Sequence, residues 1–574
     1  MKLNLQTKMP KLPIGQSDFR NIIEEGDYYV DKTLFIKEVI KDSVNILLFP
    51  RPRRFGKTLN LTTLRYFFET IYPNEKIKKD NRKLFKGLKI EKEKEFTEHQ
   101  GKYPVIFLSF KSIKFLDFEK TLSGIKGLIA DEYLRHDYLL KGAILKKNEK
   151  ENFQEIIQEK ADYKSYANSL KNLSKYLYKY HQKKVVLLID EYDTPIHAAY
   201  TENYYKEMVN FMKTFLGDGL KDNEYLKKGV MTGILRIARE SIFSGLNNLG
   251  VYSLLSKKMS DKFGLTEEEV KKLLSDYEMA DEFKGVSEWY NGYIFGEEIV
   301  YNPWSVLNYI ENIADGHIPY WVNTSSNDII KELVLKSSAQ VHRKLEVLIK
   351  GEAIEQVLIE NTIFDELEKN EAALWSFLVF SGYLKARFAR KEKNYSVYKL
   401  SIPNTEVECL YDMIISRWIS DKFTNDKLEY LLKALLKGEI KEFERIFHDF
   451  TISMLSYYDT GGKDPERVYQ AFTLGLLVNL QGKYEIKSNR ESGYGRYDIM
   501  IIPKDKNKKG VVIEFKKIDD FEEETKDIAL DKALKQIEEK KYAQELKERG
   551  IKDIIKLGIV FDGKRVWVKE GFTR

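Results

Sequence analysis

Cysteine is almost missing from this sequence: Cys409 is the only one in 574 residues. A single cysteine excludes an internal disulfide framework and any zinc site built from cysteines. Histidine is also scarce, and seven scattered residues argue against an all-histidine metal centre. No run of about 18 apolar residues occurs, and the lysine-containing N-terminus has no apolar segment of the signal-peptide kind. These absences predict a protein that does not cross a membrane and that works in the cytoplasm.

Length and charge limit the architecture and the partners. A chain of 574 residues is several times the usual domain size of about 100–150 residues, so we expect three or four domains. Hydrophobic residues make up 43% and charged residues 32%, which is typical of a folded globular protein. The net charge of +6 is the small difference between 95 basic and 89 acidic residues. It permits a nucleic-acid partner without requiring one.

Strand and helix patterns alternate in the first 235 residues. The apolar runs are 45–50 (NILLFP), 104–110 (PVIFLSF), 185–190 (VVLLID) and 230–233 (VMTG). This alternation predicts an α/β domain around a parallel sheet at 1–250, and amphipathic helical patterns predict a helical segment at 251–350. A helix and two strands with a charged turn predict a winged-helix-like segment at 351–425. Helix, hairpin, helix and strand patterns then predict a second α/β domain within 426–574.

A lysine-centred loop follows the first predicted strand. It reads PRPRRFGKT, ends at Thr58, and leads directly into an amphipathic helix. A phosphate-binding loop needs a glycine that lets backbone N–H groups approach, a lysine that reaches the phosphates, and a hydroxyl for Mg²⁺. Gly56, Lys57 and Thr58 supply these in the expected order. Arg51 replaces the usual first glycine, and a helix start with a solvated lysine is the plainer alternative.

Acidic residues end the third predicted strand. Asp190 is a candidate to hold Mg²⁺ through water, and Glu191 to orient or deprotonate the attacking water. At the end of the fourth strand, Thr232 could sense a γ-phosphate. Arg236 or Arg239 could neutralise transition-state charge, although ordinary surface arginines are the alternative. The candidate nucleotide-site residues are Arg54, Gly56, Lys57, Thr58, Asp190, Glu191, Thr232 and Arg236.

The second group of candidate residues lies in a C-terminal hairpin, 495–502 (GRYDIMII) and 511–516 (VVIEFK). Residues two apart on a strand share a face, so Glu514 and Lys516 do, and Asp498 lies across the hairpin if the strands pair. Asp498 and Glu514 are therefore candidate Mg²⁺ ligands, with Mn²⁺ as a substitute, and Lys516 a candidate to assist water or stabilise charge. Lysines in the turn are candidate phosphate contacts. Exposed acids on an edge hairpin are the alternative.

Several stretches together resemble one protein family. LPIGQSDFRNIIEEGDYYVDKT, RPRRFGKTL, LLIDEYDTPI and TGILRIARESIFSGLNNL resemble the bacterial AAA-ATPase-like family, whose phosphate loop also carries arginines. GYGRYDIMI, VVIEFKK and ALKQIEEKKY resemble the PD-(D/E)XK nuclease domain that members carry at the C-terminus. Two departures are Tyr497 in place of the motif's proline and a Gln536–Tyr542 spacing longer than the QxxxY of some relatives.

The resemblance implies a P-loop NTPase core, a helical lid, a winged-helix-like segment and a restriction-endonuclease-like C-terminal domain. It implies ATP and Mg²⁺ as cofactors, and nucleic acid as partner, with DNA ahead of RNA. We expect an ATPase coupled to a phosphodiester-cleaving nuclease, acting in defence against mobile DNA or in its maintenance. The alternatives are a nucleotide-switched nucleic-acid-binding regulator or scaffold without cleavage, and a nucleotide held without turnover. A homo-oligomer is an open option.

Overall fold

The computed structural model describes most of the chain. The described residues are 9–73, 80–235, 249–324, 330, 333–334, 337–349, 351–360, 366–367, 370–421, 425–455, 473, 477, 480, 483–492, 495–518, 525–562 and 565–571. The chain divides into two compact units. The first comprises Met1–Ile330 and Glu355–Val407, and the second comprises Lys331–Ile354 and Glu408–Arg574. The four-domain division inferred from the sequence stays a prediction.

A five-stranded parallel sheet forms the centre of the first unit. Its strands are β1 (Ile46–Pro50), β2 (Val105–Ser109), β3 (Val185–Asp190), β4 (Leu226–Gly233) and β5 (Leu249–Val251). Their spatial order is β2-β3-β4-β1-β5, and every neighbouring pair is parallel. All residues of β1 and β3 are buried, as apolar runs in a parallel sheet predict. Because β4 separates β1 from β3, the segments that follow these three strands meet at one edge of the sheet.

Helices connect these strands. The helix Lys57–Phe68 follows β1 and packs against β3 and β4. The helix Phe118–Arg135 follows β2, and the Asp117 carboxylate caps it by accepting the Lys120 N–H. The other α-helices before β5 are Phe19–Glu25, Leu34–Lys41, Lys94–His99, Lys147–Ile157, Tyr163–Ala167, Ser169–His181, Thr194–Thr201 and Tyr205–Leu220. Short 3₁₀ helices in this unit are Asn81–Phe85, Lys89–Lys92, Asp137–Leu140, Ser260–Lys262, Ala280–Glu282 and Ile313–Asp315.

The segment predicted to be a helical lid also contains a small sheet. Its described helices within the first unit are Glu267–Asp276, Phe283–Tyr290, Pro303–Glu311 and Tyr320–Thr324. The added strands are β6 (Leu265–Thr266), β7 (Tyr293–Phe295) and β8 (Glu298–Tyr301), in the order β6-β8-β7. Val270, Val286 and Val306 pack with Leu12 from the N-terminal segment in one apolar cluster. Strands of two to four residues are too short to produce a visible alternation, which is why the sequence pattern missed them.

A helix and a hairpin occupy the region predicted to be winged-helix-like. The helix Glu371–Phe380 precedes β10 (Lys385–Glu392) and β11 (Tyr395–Ser401), which pair antiparallel. An additional strand, β9 (Ile354–Val357), lies beside β11 and gives the order β10-β11-β9. The helix and hairpin match the expected elements, while the winged-helix assignment stays a prediction.

A mixed five-stranded sheet forms the centre of the second unit. Its strands are β12 (Tyr484–Ser492), β13 (Gly495–Pro503), β14 (Gly510–Lys517), β15 (Ile554–Asp562) and β16 (Arg565–Glu570), in sequential order. Only β14 and β15 pair in parallel. The described helices are Ala339–Ile349, Asn425–Lys437, Ile440–Leu455, Lys526–Glu539 and Gln544–Glu548, and Thr405–Asp421 continues into this unit from the first.

The two faces of this sheet pack on different helices. One face contributes Ile499 and Ile513 to a cluster with Leu435 and Phe447. The other face contributes Met500 and Val512 to a cluster with Ile537, on the helix Lys526–Glu539. Since side chains alternate along a strand, Asp498 and Glu514 belong to the face of the second cluster.

The mixed α/β fold class is confirmed, with a parallel five-stranded sheet and a separate mixed sheet toward the C-terminus. Within the ranges that the structure describes, no helix combines the length and the apolar character needed to cross a bilayer.

Candidate functional sites

The loop after β1 has the backbone that a phosphate-binding site requires. Gly56 precedes the helix Lys57–Phe68 and adopts φ +79°, a left-handed conformation that strains any residue with a Cβ. Apart from its chain neighbours and the adjoining helix backbone, no heavy atom of the described chain lies within 4 Å of the place where a Cβ would stand. The space beside Gly56 is therefore open, and the first N–H groups of a helix, which have no partner within the helix, suit an anion.

Lys57 is buried beneath this loop. Its Nζ donates to the carbonyl oxygens of Arg51 and Pro52, at 3.0 Å each. Burial lowers the pKa of Lys57, and the nearby carboxylates, led by Glu191, oppose that shift. The ammonium thus donates to the loop's own carbonyls, and a phosphate bound in the loop would replace them as its hydrogen-bond acceptor.

Asp190 joins three elements of the sheet edge. Thr58, at the start of the helix after β1, donates through Oγ1 to Asp190 Oδ2 at 2.8 Å. Thr232 at the end of β4 donates to Asp190 Oδ1 at 2.6 Å, and Ser109 at the end of β2 donates to Oδ2 at 3.3 Å. Asp190 is fully buried, and burial raises the pKa of its carboxyl although the hydroxyls oppose this. A hydroxyl and a carboxylate in contact suit water-mediated Mg²⁺ binding.

Glu191 follows in an unusual backbone conformation. Its φ is +50°, and its N–H donates to Thr232 Oγ1 at 3.4 Å. Thr194 donates to its Oε2 at 3.4 Å. Arg54 lies near enough for its charge to interact with that of Glu191, and its guanidinium lies 4.0 Å from the centroid of the Trp304 ring. The Thr232 hydroxyl, at the end of β4, therefore contacts both acidic residues: it donates to the Asp190 carboxylate and accepts the Glu191 backbone N–H.

An apolar cavity of about 100 Å³ opens beside Gly56. Its walls come from the N-terminal segment, the loop after β1 and the segment predicted to be a lid, and include Pro13, Tyr28, Tyr29, Leu59, Leu265 and Leu307. Lys32, Asn60 and Lys262 add polar groups to this lining. Apolar walls with a few polar groups are typical of small-ligand sites.

The C-terminal carboxylates come together on one sheet face. β13 and β14 pair from Ile501↔Val511 to Ile499↔Ile513, so continuing the antiparallel register sets Asp498 opposite Glu514. At that point the Asp498 carboxylate accepts the Phe515 N–H through Oδ2 at 2.7 Å. Glu514 is only 2% exposed, and Lys516 Nζ lies 3.5 Å from Glu514 Oε1.

Two more polar side chains join this group. Gln536, on the helix Lys526–Glu539, donates through Nε2 to Glu514 Oε1. The same Nε2 lies 3.3 Å from the hydroxyl of Tyr542. Burial raises the pKa of Tyr542; the Gln536 hydrogen bond opposes that shift, and the charges of Glu514, Asp498 and Lys516 lie near enough to act on the hydroxyl.

Comparisons with known proteins agree with this geometry. Residues 13–243 match the family model described as predicted AAA-ATPase, and residues 464–571 match that of the PD-(D/E)XK nuclease superfamily. The chain joins an AAA-ATPase-like region to a PD-(D/E)XK nuclease-like region. A relative over nearly the whole length is an uncharacterized protein in the vnfD 5′ region of Azotobacter chroococcum mcd 1. It is 25% identical over 562 residues, which cover 96% of each chain. The resemblance inferred from the sequence is thereby confirmed.

Arg51 in the ATPase-like region is a core residue. It is fully buried, and its Nη1 donates to the carbonyls of Pro50 at 2.9 Å and Tyr252 at 2.5 Å. Its guanidinium lies about 5 Å from the ring centroids of Phe263 and Phe295. Burial lowers the pKa of Arg51 to about 9. The arginine at the position of the usual glycine therefore joins the loop to the core instead of lining the phosphate space.

Asp193 is a residue of the ATPase-like region that the sequence reasoning missed. It is buried, and its Oδ2 accepts the N–H groups of Ile234 at 2.7 Å and Leu235 at 3.0 Å. His197 Nε2 lies 3.3 Å away. Burial alone would raise the pKa of Asp193, but the interactions with His197 and these N–H groups outweigh it and lower the pKa. Asp193 thus ties the acidic turn to the segment after β4. The signal was its place in the Asp-Glu-Tyr-Asp run.

Some predicted residues do not join these sites or cannot be placed. Arg236 and Arg239 lie outside the described residues. In the nuclease-like region, the lysines predicted to contact phosphate, 504–509, stand in the turn between β13 and β14. Four or five residues of extended strand, roughly 13–16 Å, separate that turn from Glu514 and Asp498. The turn lysines therefore lie at the opposite end of the hairpin from the carboxylates.

The donor set in the nuclease-like region fits a hard divalent cation. Asp498 and Glu514 offer carboxylate oxygens, the ligands that Mg²⁺ and Mn²⁺ prefer. In the described part of the chain, no cluster of three or more His, Cys, Asp or Glu side chains is arranged for a metal. A cation held by these two carboxylates would complete its shell with water and phosphate oxygens, as Mg²⁺ commonly does.

Proposed function

We propose that the protein is a metal-dependent nuclease controlled by ATP binding and hydrolysis. The observation that carries this proposal is the gathering of Asp498, Glu514 and Lys516 with Gln536 on one face of the second sheet. A charged group that interrupts an apolar strand and is almost fully buried needs a compensating role. Cation binding and phosphodiester cleavage supply that role.

In the ATPase-like region, separate residues are available to bind the phosphates, the Mg²⁺ ion, the attacking water and the base of ATP. Lys57 and the N–H groups after Gly56 would bind the phosphates, and Thr58 with Asp190 would hold Mg²⁺ through a hydroxyl and water. Glu191 would orient or deprotonate the attacking water, with Thr232 fixing it beside Asp190. The apolar cavity beside Gly56 would take the adenine base.

In the nuclease-like region, Mg²⁺ would polarise the phosphodiester and lower the pKa of a bound water. Asp498 and Glu514 are the residues that would hold it. Lys516 would orient the water or neutralise charge on the phosphate oxygens. Gln536 would fix the Glu514 carboxylate in position. We expect the substrate to be DNA and not RNA. The expected biological role is defence against mobile DNA or the maintenance of mobile DNA, in the cytoplasm.

The decisive experiment is a cleavage assay on supercoiled, linear and single-stranded DNA and on RNA, with Mg²⁺ or Mn²⁺, with and without ATP. Glu514→Gln should abolish cleavage while the protein stays folded, because it removes a buried charge and keeps the shape. Glu539→Gln is the matched control, since Glu539 is an exposed glutamate on the neighbouring helix. Equal cleavage by wild type and Glu514→Gln would assign the activity to a contaminant.

ATP control is tested in parallel. Lys57→Ala should abolish phosphate release and remove the ATP dependence of cleavage, whereas Lys213→Ala, at an exposed helical position, should leave both unchanged. Tight ATP binding without phosphate release in wild type would favour a structural nucleotide. Nucleic-acid binding that survives loss of Asp498, with no cleavage under any metal, would favour the nucleotide-switched regulator.

A further inference from the structure

The β10–β11 hairpin has a concentrated positive charge. Between Lys385 and Ser401 it holds six lysines and arginines and one acid, Glu392, whereas the whole chain has an excess of only six. Arg390 is paired with Glu355 and Glu392. Among the described residues, no carboxylate lies within ion-pair distance of the other exposed cations of this hairpin, which are Arg387, Lys391, Lys393 and Lys399.

Two of these cations stand directly across from each other. Arg387 pairs in register with Lys399 on the neighbouring strand. Like charges at opposed positions of an antiparallel pair are destabilising. Glu355 lies near enough to interact electrostatically with Lys399, but its carboxylate is engaged by Arg390. A bound polyanion would remove the repulsion between the paired cations.

The hairpin also carries exposed aromatic rings. Phe388 is 62% exposed and Tyr395 is 54% exposed. Phe388 pairs with Tyr398, with ring centroids 6.0 Å apart. On the same strand face nearer the base, Ala386 is buried. The face through Ala386 thus continues outward past the core at the base and ends in the uncovered Phe388 ring. Tyr395 is three residues from Tyr398 on the same strand, so its uncovered ring lies on the other face, near the tip.

Cations interleaved with exposed rings match one class of ligand. Phosphates attract the cations, and unpaired bases stack on aromatic side chains, whereas bases within a duplex are already stacked on each other. We propose that the β10–β11 hairpin is the contact surface for single-stranded nucleic acid. Phe388 and Tyr395 stack on bases, and Arg387, Lys391, Lys393 and Lys399 neutralise phosphates. This inference deepens the proposed function by naming the substrate form and the residues that receive it.

Binding is measured apart from cleavage, by fluorescence anisotropy of the full chain in a chelator. The probes are labelled single strands of about 30 nucleotides, as DNA and as RNA, and a duplex of equal length. Wild type should prefer the single strands, with a logarithmic salt slope of about −3 for four neutralised phosphates. Lys391→Gln with Lys393→Gln should reduce that slope by about 1.4. Phe388→Ala with Tyr395→Ala should weaken single-strand affinity about tenfold or more.

Controls use equally exposed positions elsewhere in the same unit. Lys206→Gln with Lys213→Gln makes the same change in net charge, and Tyr163→Ala removes a ring that is 47% exposed. These variants should bind as wild type does. No single-strand binding, preference for the duplex, or equal losses in hairpin and control variants would overturn the inference. If the hairpin variants cleave as wild type does, the hairpin inference fails and the proposed nuclease activity remains. If binding depends on the hairpin but no cleavage occurs, the proposed nuclease activity fails and the hairpin inference remains.

Discussion

Gln536 provides the sharpest test of the nuclease-like site. Its Nε2 donates to Glu514 Oε1 and lies 3.3 Å from the Tyr542 hydroxyl. Replacing it with leucine keeps the helix and much of the side-chain volume but removes the donor. Glu514 is 2% exposed, so water has little access to replace that hydrogen bond. The expected result is a Glu514 carboxylate that no longer holds one orientation.

The size of the effect follows from the hydrogen bond. A donor to a charged group contributes about 1.5–3 kcal/mol, and about 1.4 kcal/mol corresponds to a factor of ten. Groups that orient a metal ligand commonly change metal affinity by about 10–100-fold. We therefore expect Gln536→Leu to raise the half-saturating Mn²⁺ concentration roughly 10–100-fold, with most of the rate recovered at saturating metal.

The assay is a Mn²⁺ titration of cleavage, together with calorimetric Mn²⁺ binding in the Lys57→Ala background, which removes nucleotide-linked metal binding from the signal. Gln544→Leu is the control, since Gln544 Nε2 donates to Glu548 Oε1 at 3.0 Å in an exposed pair one helical turn apart. Unchanged metal dependence would mean that Gln536 does not position Glu514. Tighter Mn²⁺ binding by Gln536→Leu would mean that the Gln536 amide competes with the cation for Glu514 Oε1, and would refute a positioning role for Gln536.

Three further predictions concern the first unit. Thr232→Val removes the 2.6 Å donor to buried Asp190 and should weaken Mg·ATP binding about tenfold or more, measured by titration with a nucleotide analogue. Burial lowers the pKa of His181 to about 4. The imidazole takes up a proton near pH 6.5 in the unfolded chain but only near pH 4 in the folded protein, so its contribution to the free energy of unfolding is fully present above pH 6.5 and is lost as the pH falls toward 4. After allowance for partial exposure, the loss is about 1–2 kcal/mol. Urea unfolding at pH 7 and at pH 5 should show a smaller loss of unfolding free energy for His181→Gln than for wild type. Gly382 has φ +90°, and an added Cβ would stand 3.0 Å from the Pro52 side chain, so Gly382→Ala should raise the KM for ATP beyond its stability cost of about 1 kcal/mol. The matched controls, which lack those contacts, are Thr201→Val and Gly316→Ala.

The sequence predicted the central strands well, for a physical reason. Strands buried on both faces are continuous apolar runs, so β1, β2 and β3 agree with the predicted runs to within one residue at each end. β4 begins four residues before the predicted run, because Lys227 and Lys228 break its apolar pattern. β5 has only three residues, one of them Gly250, and offers no pattern to detect.

Some contacts in the candidate sites depend on the tertiary structure and could not be predicted from sequence spacing. Gln536 and Tyr542 are six residues apart, a spacing that does not share one helix face. The structure unites them because the helix ends at Glu539 and Lys541 turns the chain back with φ +55°. The role of Asp193 likewise depends on two N–H groups more than forty residues away. By contrast, Glu514 and Lys516 were predictable, since strand alternation alone puts them on one face.

The packing around the phosphate loop suggests how nucleotide could govern nucleic-acid binding within the first unit. Phe55 lies in the loop itself, and its ring centroid is 4.9 Å from that of Tyr293 and 5.2 Å from that of Phe295, both on β7 in the segment predicted to be a lid. Pro52 in the same loop abuts Gly382, three residues before β10 begins. Packed contacts of this kind shift between discrete arrangements and do not stretch continuously. A nucleotide that draws Lys57 away from the loop carbonyls must therefore move the contacts of residues 52–55, and the base of the β10–β11 hairpin is one of them. A ligand shifts such an equilibrium only by its differential affinity for the two arrangements. Under the proposed function, we therefore expect ATP and single-stranded nucleic acid to change each other's binding affinity by the same factor.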